Sequence, residues 1–161
     1  MDRSTRPVGP ASRANGPDFA DGTCVAAGTR VATPWGQIPV EVLDVLDEVL
    51  AYDPVDGGVS AARVVEIRRS QRECVCLQLA DGGTLRLTSD HPVWSPETRR
   101  YEAAGRWVTG ELQLLATVVD ERPGVTVVTD REGYVGVLPV YDLVLAAPHH
   151  SFLADRVVVH R

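Results

Sequence analysis

The sequence predicts an all-β domain of short antiparallel strands, on three observations. Valine is abundant while aromatic residues make up only 6% of the chain, and β-branched side chains suit pleated sheets better than helices. Short strand-like runs recur along the chain, each followed by a turn signal. One of these, LADGGTLRLT, is a clear hairpin, because Asp81-Gly82-Gly83 tolerates positive φ at the bend.

Taken in chain order, residues 1 to 22 are rich in Pro, Gly, Ser, Asn and Arg and show almost no apolar periodicity. Such a composition buries too little surface to fold and reads as a flexible leader. Order is expected to begin near Thr23 and Cys24. RVAT (30–33) is the first clear strand and ends at the turn PWGQ. VEVLDVLDEV (40–49) is ambiguous and reads as a helical turn, with EVLAY (48–52) closing at DPVDGG. ARVVEIRR (62–69), CVCLQL (74–79) and TLRLT (84–88) follow, then GVTVV, VLPVYDLVLA and SFLADRVVVH. The spacing is not that of βαβ units, and there is no repeat of propeller or solenoid period.

At 161 residues the chain fits one domain, with 44% hydrophobic residues to build its core. A net charge of -6 without a basic stripe argues against a nucleic-acid partner. No stretch is long and apolar enough to span a bilayer, and the N-terminus lacks the apolar run of a signal peptide. The residues leave localisation open between the cytoplasm and part of a larger exported protein. Three cysteines, an odd number, favour reduced thiols over a disulfide framework.

Each thiol therefore needs its own role. Cys24 stands where the leader meets the first strand, so its sulfur neighbours the carbonyl of Thr23. If the fold pins that peptide bond, a thiolate there can turn an amide into a thioester; otherwise Cys24 is a small buried hydrophobe. Cys74 and Cys76 share one face of a strand. Without a second Cys or His pair at suitable spacing, core packing suits them better than a metal. In LTSDHPVW, Thr88 and His91 follow a hairpin and can address one bond together, a hydroxyl to hold an amide and an imidazole to protonate it. His149, His150 and His160 lie near the C-terminus. Asp142 interrupts an apolar strand, so it is either an edge charge or a partly buried carboxylate.

The joint order of these blocks is the stronger signal. CVAAGTRVATPWGQIPVEVLDVLDEVLAYD, then LRLTSDHPVW, then VYDLVLAAPHHSFLADRVVVHR resemble the blocks of the Hint superfamily of self-processing domains. That superfamily takes in inteins, bacterial intein-like domains and hedgehog C-terminal regions. The resemblance runs from Cys24 to the last residue and implies a compact, horseshoe-like Hint-type β fold over residues 24–161, with residues 1–23 as an N-terminal flank. It further implies that Cys24 is the nucleophile of an N-to-S acyl shift at Thr23–Cys24. Thr88 and His91 would orient and protonate the scissile amide, and Asp142 would help activate the thiol. His150, ten residues before His160, and His160 itself match the family's closing histidines.

Two positions depart from the family pattern. Splicing inteins end in His-Asn, whereas Arg161 follows His160 here, and a guanidinium is no nucleophile at neutral pH. Asparagine cyclisation is therefore expected to be absent. The family usually places Gly-Asp where this chain has Leu46-Asp47, so the local turn is expected to differ. About fifty residues separate His91 from VYDL, too few for an inserted endonuclease domain.

The expected activity is single-turnover N-terminal cleavage of the domain's own flanking polypeptide by a monomer. No cofactor is required, and water or a small thiol or amine resolves the thioester. Two alternatives stand beside it: a chemically silent Hint-derived module, or inhibitory zinc on Cys24, His91, His150 and His160.

Overall fold

The computed structural model describes residues 24–106 and 112–160. Thr23 and Arg161 lie outside the described residues. The described chain is almost entirely β. It begins with β1 (Val25–Ala26), β2 (Arg30–Thr33) and β3 (Gly36–Pro39), and continues through β4 (Glu48–Tyr52), β5 (Val59–Leu79) and β6 (Thr84–Leu87). Next come β7 (Pro92–Ser95), β8 (Arg100–Ala103) and β9 (Gln113–Val119), and last β10 (Arg122–Leu145), β11 (Ser151–Ala154) and β12 (Val157–His160).

The twelve strands of the described residues join one sheet. Its backbone is a ribbon made of β5, 21 residues long, and β10, 24 residues long. The two pair antiparallel from Val128–Leu79 to Leu145–Val64, with irregularities that let the ribbon bend. β1 fits between β10 and β6, with Val25 opposite Tyr141 on one side and Leu87 on the other. β6 returns to β5, where Leu87 meets Val75.

Alternation along these strands decides what is buried. Val25, Val75, Leu87 and Leu143 point into the main core with Leu77, Phe152 and Val159. A second cluster gathers Tyr52, Trp94, Leu153 and Val158. The opposite face of the β1 region holds a small third cluster of Cys24, Ala26, Cys74 and Val140.

Several expectations change. The helical turn read in VEVLDVLDEV shrinks to one 3-10 turn at Val40–Val42 before β4 begins. ARVVEIRR and CVCLQL belong to one strand, as do GVTVV and VLPVYDLVLA. The Leu46-Asp47 turn keeps the backbone that a glycine would favour. Leu46 sits at φ 80°, and its N–H bonds the Val64 carbonyl at 2.8 Å.

Candidate active site

Continuing the strand register by one residue from Val25 sets Cys24 opposite both Asp142 and Thr88. On the outer flanks the same step sets Thr88 opposite Cys74, while Asp142 pairs directly with Arg68. The chemistry-bearing residues therefore form one lateral row, Cys74–Thr88–Cys24–Asp142–Arg68, that begins and ends on β5. Directly paired residues point to the same side of a sheet.

Thr88 grips Cys24 by three hydrogen bonds. Its Oγ1 accepts the Cys24 N–H at 3.0 Å, and its own N–H donates to the Cys24 carbonyl at 3.0 Å. The hydroxyl also donates to that carbonyl at 3.3 Å. The Cys24 nitrogen belongs to the peptide bond that precedes it, so the hydroxyl lies on the bond that the sequence singled out.

His91 follows because a tight turn after β6 brings its N–H to the Thr88 carbonyl at 3.1 Å, while its carbonyl accepts the N–H of Ala104. Gly105 packs against this turn so closely that an added Cβ would stand 2.8 Å from the Cβ of Ser89. The His91 ring is buried, and neither nitrogen makes a hydrogen bond of ordinary geometry among the described residues. Burial pulls its pKa down to about 4, although the backbones of Cys24 and His160 face the ring and favour its charged form. His91 thus touches both the first and the last strand of the fold.

Cys24 is equally enclosed. Burial and, next, the negative charge of Asp142 push its thiol up to about 11, against a smaller opposing pull from Arg72. Asp90 and Cys74 add to the rise. Asp142 is only 3% exposed, so the edge-charge reading fails, and its Oδ2 lies 3.7 Å from Arg68 Nη1. Cys74 packs beside Cys24 as a free buried thiol, and Cys76 lies near the Gln78 amide.

His150 and His160 come together elsewhere. Their rings stack at 5.9 Å, and Tyr101 meets His160 edge-on at 5.0 Å. Tyr101 also shares a 2.6 Å hydrogen bond with Ser151, the strand partner of His160. These side chains line a cleft of about 510 Å³ with Tyr52, Trp94 and His149. Nothing in RRYEAAG marked Tyr101, because an isolated tyrosine on an edge strand carries no spacing signal. The zinc set is not assembled: among the described residues no three His, Cys, Asp or Glu side chains stand as an ion site.

No protein-family model matches the sequence, and neither does any curated protein. Solved structures do match. The bacterial intein-like domain from Clostridium thermocellum is similar over 86% of this chain and 99% of its own, with 23% identity and a TM-score of 0.73. The DnaB intein from Synechocystis sp. PCC 6803 covers 85% of this chain and 96% of its own, at 15% identity and a TM-score of 0.72. The gp41-1 intein matches over 86% and 98%, at 17% identity and a TM-score of 0.66. The chain has the Hint fold. Within the Hint fold the long β5/β10 ribbon and the inserted β1 hold Cys24, Thr88, His91 and Asp142 in one small region, while His150 and His160 meet beside it.

Proposed function

We propose that the chain is a self-processing domain that cleaves its own flanking polypeptide at Thr23–Cys24. The observation that carries this reading is the Thr88 hydroxyl on the Cys24 N–H at 3.0 Å. By accepting that N–H, the hydroxyl fixes the orientation of the scissile amide beside the attacking thiol.

The steps use Cys24 and Asp142 of the row together with His91. Asp142 takes the thiol proton, and Cys24 Sγ bonds the Thr23 carbonyl carbon. The C–N bond then breaks as the Cys24 nitrogen receives a proton from His91, leaving a thioester and a free amine. Water, a small thiol or an amine takes the acyl group and releases residues 1–23. The domain in this reading starts at Cys24. The proposal stops at that bond, because Arg161 offers no side-chain amide to cyclise.

Both reacting groups rest in the wrong protonation state. With the thiol pushed up to about 11 and the imidazole pulled down to about 4, burial keeps both neutral near pH 7. That favours a slow reaction, and it equally favours the reading of a chemically silent module.

Intact mass before and after overnight incubation with a small thiol separates the two. Loss of residues 1–23 from the wild type but not from Cys24→Ala is the expected result. An unchanged mass in both would leave the silent module.

A further inference from the structure

A buried carboxylate stays ionised only where a compensating charge faces it. Asp142 has such a neighbour in its direct cross-strand partner, Arg68 of β5. Arg68 Nη1 lies 3.7 Å from Asp142 Oδ2, longer than a hydrogen bond but within range of a charge contact. The other edge of the guanidinium is engaged. Nε donates to Glu66 Oε2 at 3.0 Å and Nη2 to Glu66 Oε1 at 3.3 Å. Glu66, two residues earlier on the same face of β5, thus turns the fork so that Nη1 points at Asp142.

We propose that Arg68 is a positioning residue of this site, holding Asp142 as the carboxylate that accepts the Cys24 proton. The proposal rests on the self-cleavage reading above and adds to it the residue that keeps its base charged. Arg68 acts from the far side of β10, so it does not block the approach of Cys24 from β1. Its side chain is 51% exposed, which lets solvent weaken the pair and calls for a moderate effect. Charged groups that bear on the row include Glu66, Arg68 and Arg72 from β5, Arg86 from β6 and Asp90 from the turn after β6, beside the neutral thiols of Cys24 and Cys74.

The test has two arms. In the first, cleavage rates in thiol are followed by intact mass from pH 5 to 9 for the wild type, Arg68→Gln and Arg68→Lys. Arg68→Gln is expected to move the acid limb up by about one pH unit, a roughly tenfold slower reaction at a fixed pH on that limb. Arg68→Lys should restore most of it. A residue that only supports the fold would lower the rate evenly at every pH, and that result overturns the proposal.

In the second arm, the carboxyl carbon of Asp142 is titrated by NMR in the non-cleaving Cys24→Ala background, with and without Arg68→Gln. An upward move of its midpoint supports the proposal, and an unmoved midpoint overturns it even if the wild type cleaves. If the wild type does not cleave at any pH, the self-cleavage reading falls. The titration then still decides whether Arg68 keeps Asp142 charged.

Discussion

The hydroxyl of Thr88 accepts the backbone N–H of Cys24 at 3.0 Å, across 64 positions of sequence. One contact thereby ties the turn after β6 to the nitrogen at which the proposed cleavage occurs.

Replacing Thr88 by valine keeps the shape and removes that acceptor. The Cys24 N–H is then buried and unsatisfied, which costs about 1–3 kcal/mol of stability. Cleavage is expected to slow by roughly 10²-fold, comparable to what misplacing a reacting bond by an ångström costs. Urea unfolding and intact-mass kinetics read the two effects, and Thr88→Ser should recover most of both. A valine variant cleaving at the wild-type rate would remove Thr88 from the chemistry.

His91 gives the fold an acid sensitivity whose sign is set by its burial. Its folded pKa is about 4 against 6.5 when exposed. As pH falls from 6.5 toward 4, the unfolded chain gains a proton that the folded chain refuses, so stability declines across that window. The full effect is about 3 kcal/mol. Unfolding free energy measured at pH 7 and pH 4.5 should drop by about 2 kcal/mol more in the wild type than in His91→Gln. Equal drops would mean that the ring is not held neutral.

Leu46 occupies φ 80° with 67% of its surface exposed. An L-residue there bears a strain of about 1 kcal/mol that glycine does not. Leu46→Gly should therefore raise the thermal midpoint by a few degrees, about 0.5–1 kcal/mol, and leave cleavage unchanged. A fall in the midpoint would show that the leucine side chain contributes more than its backbone costs.

Gly105 tests the turn that carries His91 without touching any reacting group. A methyl at this position meets Ser89 backbone as well as its Cβ, at 3.0 Å from the carbonyl oxygen. Gly105→Ala should cost about 1–3 kcal/mol as the turn is forced to shift. Cleavage should fall with it, because Ser89 stands between Thr88 and His91. Normal kinetics in a destabilised variant would show that the turn tolerates the displacement.

Strands with a buried apolar stripe were readable in the sequence. RVAT, EVLAY and TLRLT fall on β2, β4 and β6 because short apolar, β-favouring runs beside turn residues mark them, with clear alternation in β6. The middle of the long ribbon was not, since RRSQRE and TDREGY bury little and carry no hydrophobic period. Their strand character comes from pairing with apolar stretches across the ribbon, RRSQRE with VLPVYD and Asp130–Glu132 with Cys76–Gln78, a tertiary effect. β3 and β8 went unseen because their exposed or half-buried residues blur the two-residue alternation, and β9 because Leu115–Val118 are buried in succession and show none. At the site, Cys24, Thr88, His91 and Asp142 were legible as an ordered set of blocks. Arg68 was not, because nothing in ARVVEIRR sets it apart from its neighbour Arg69, and only the register of β5 on β10 brings it to Asp142.

The lateral row draws on β5, β6, β1 and β10, and Asp142 is the last of its members to be synthesised. A ribosome adds roughly 5–20 residues per second. Cys24 is therefore made seconds before the carboxylate that stands opposite it. On the proposed self-cleavage reading, completion of the fold is the starting signal for the chemistry, and a chain truncated before residue 142 is expected to carry an inert cysteine.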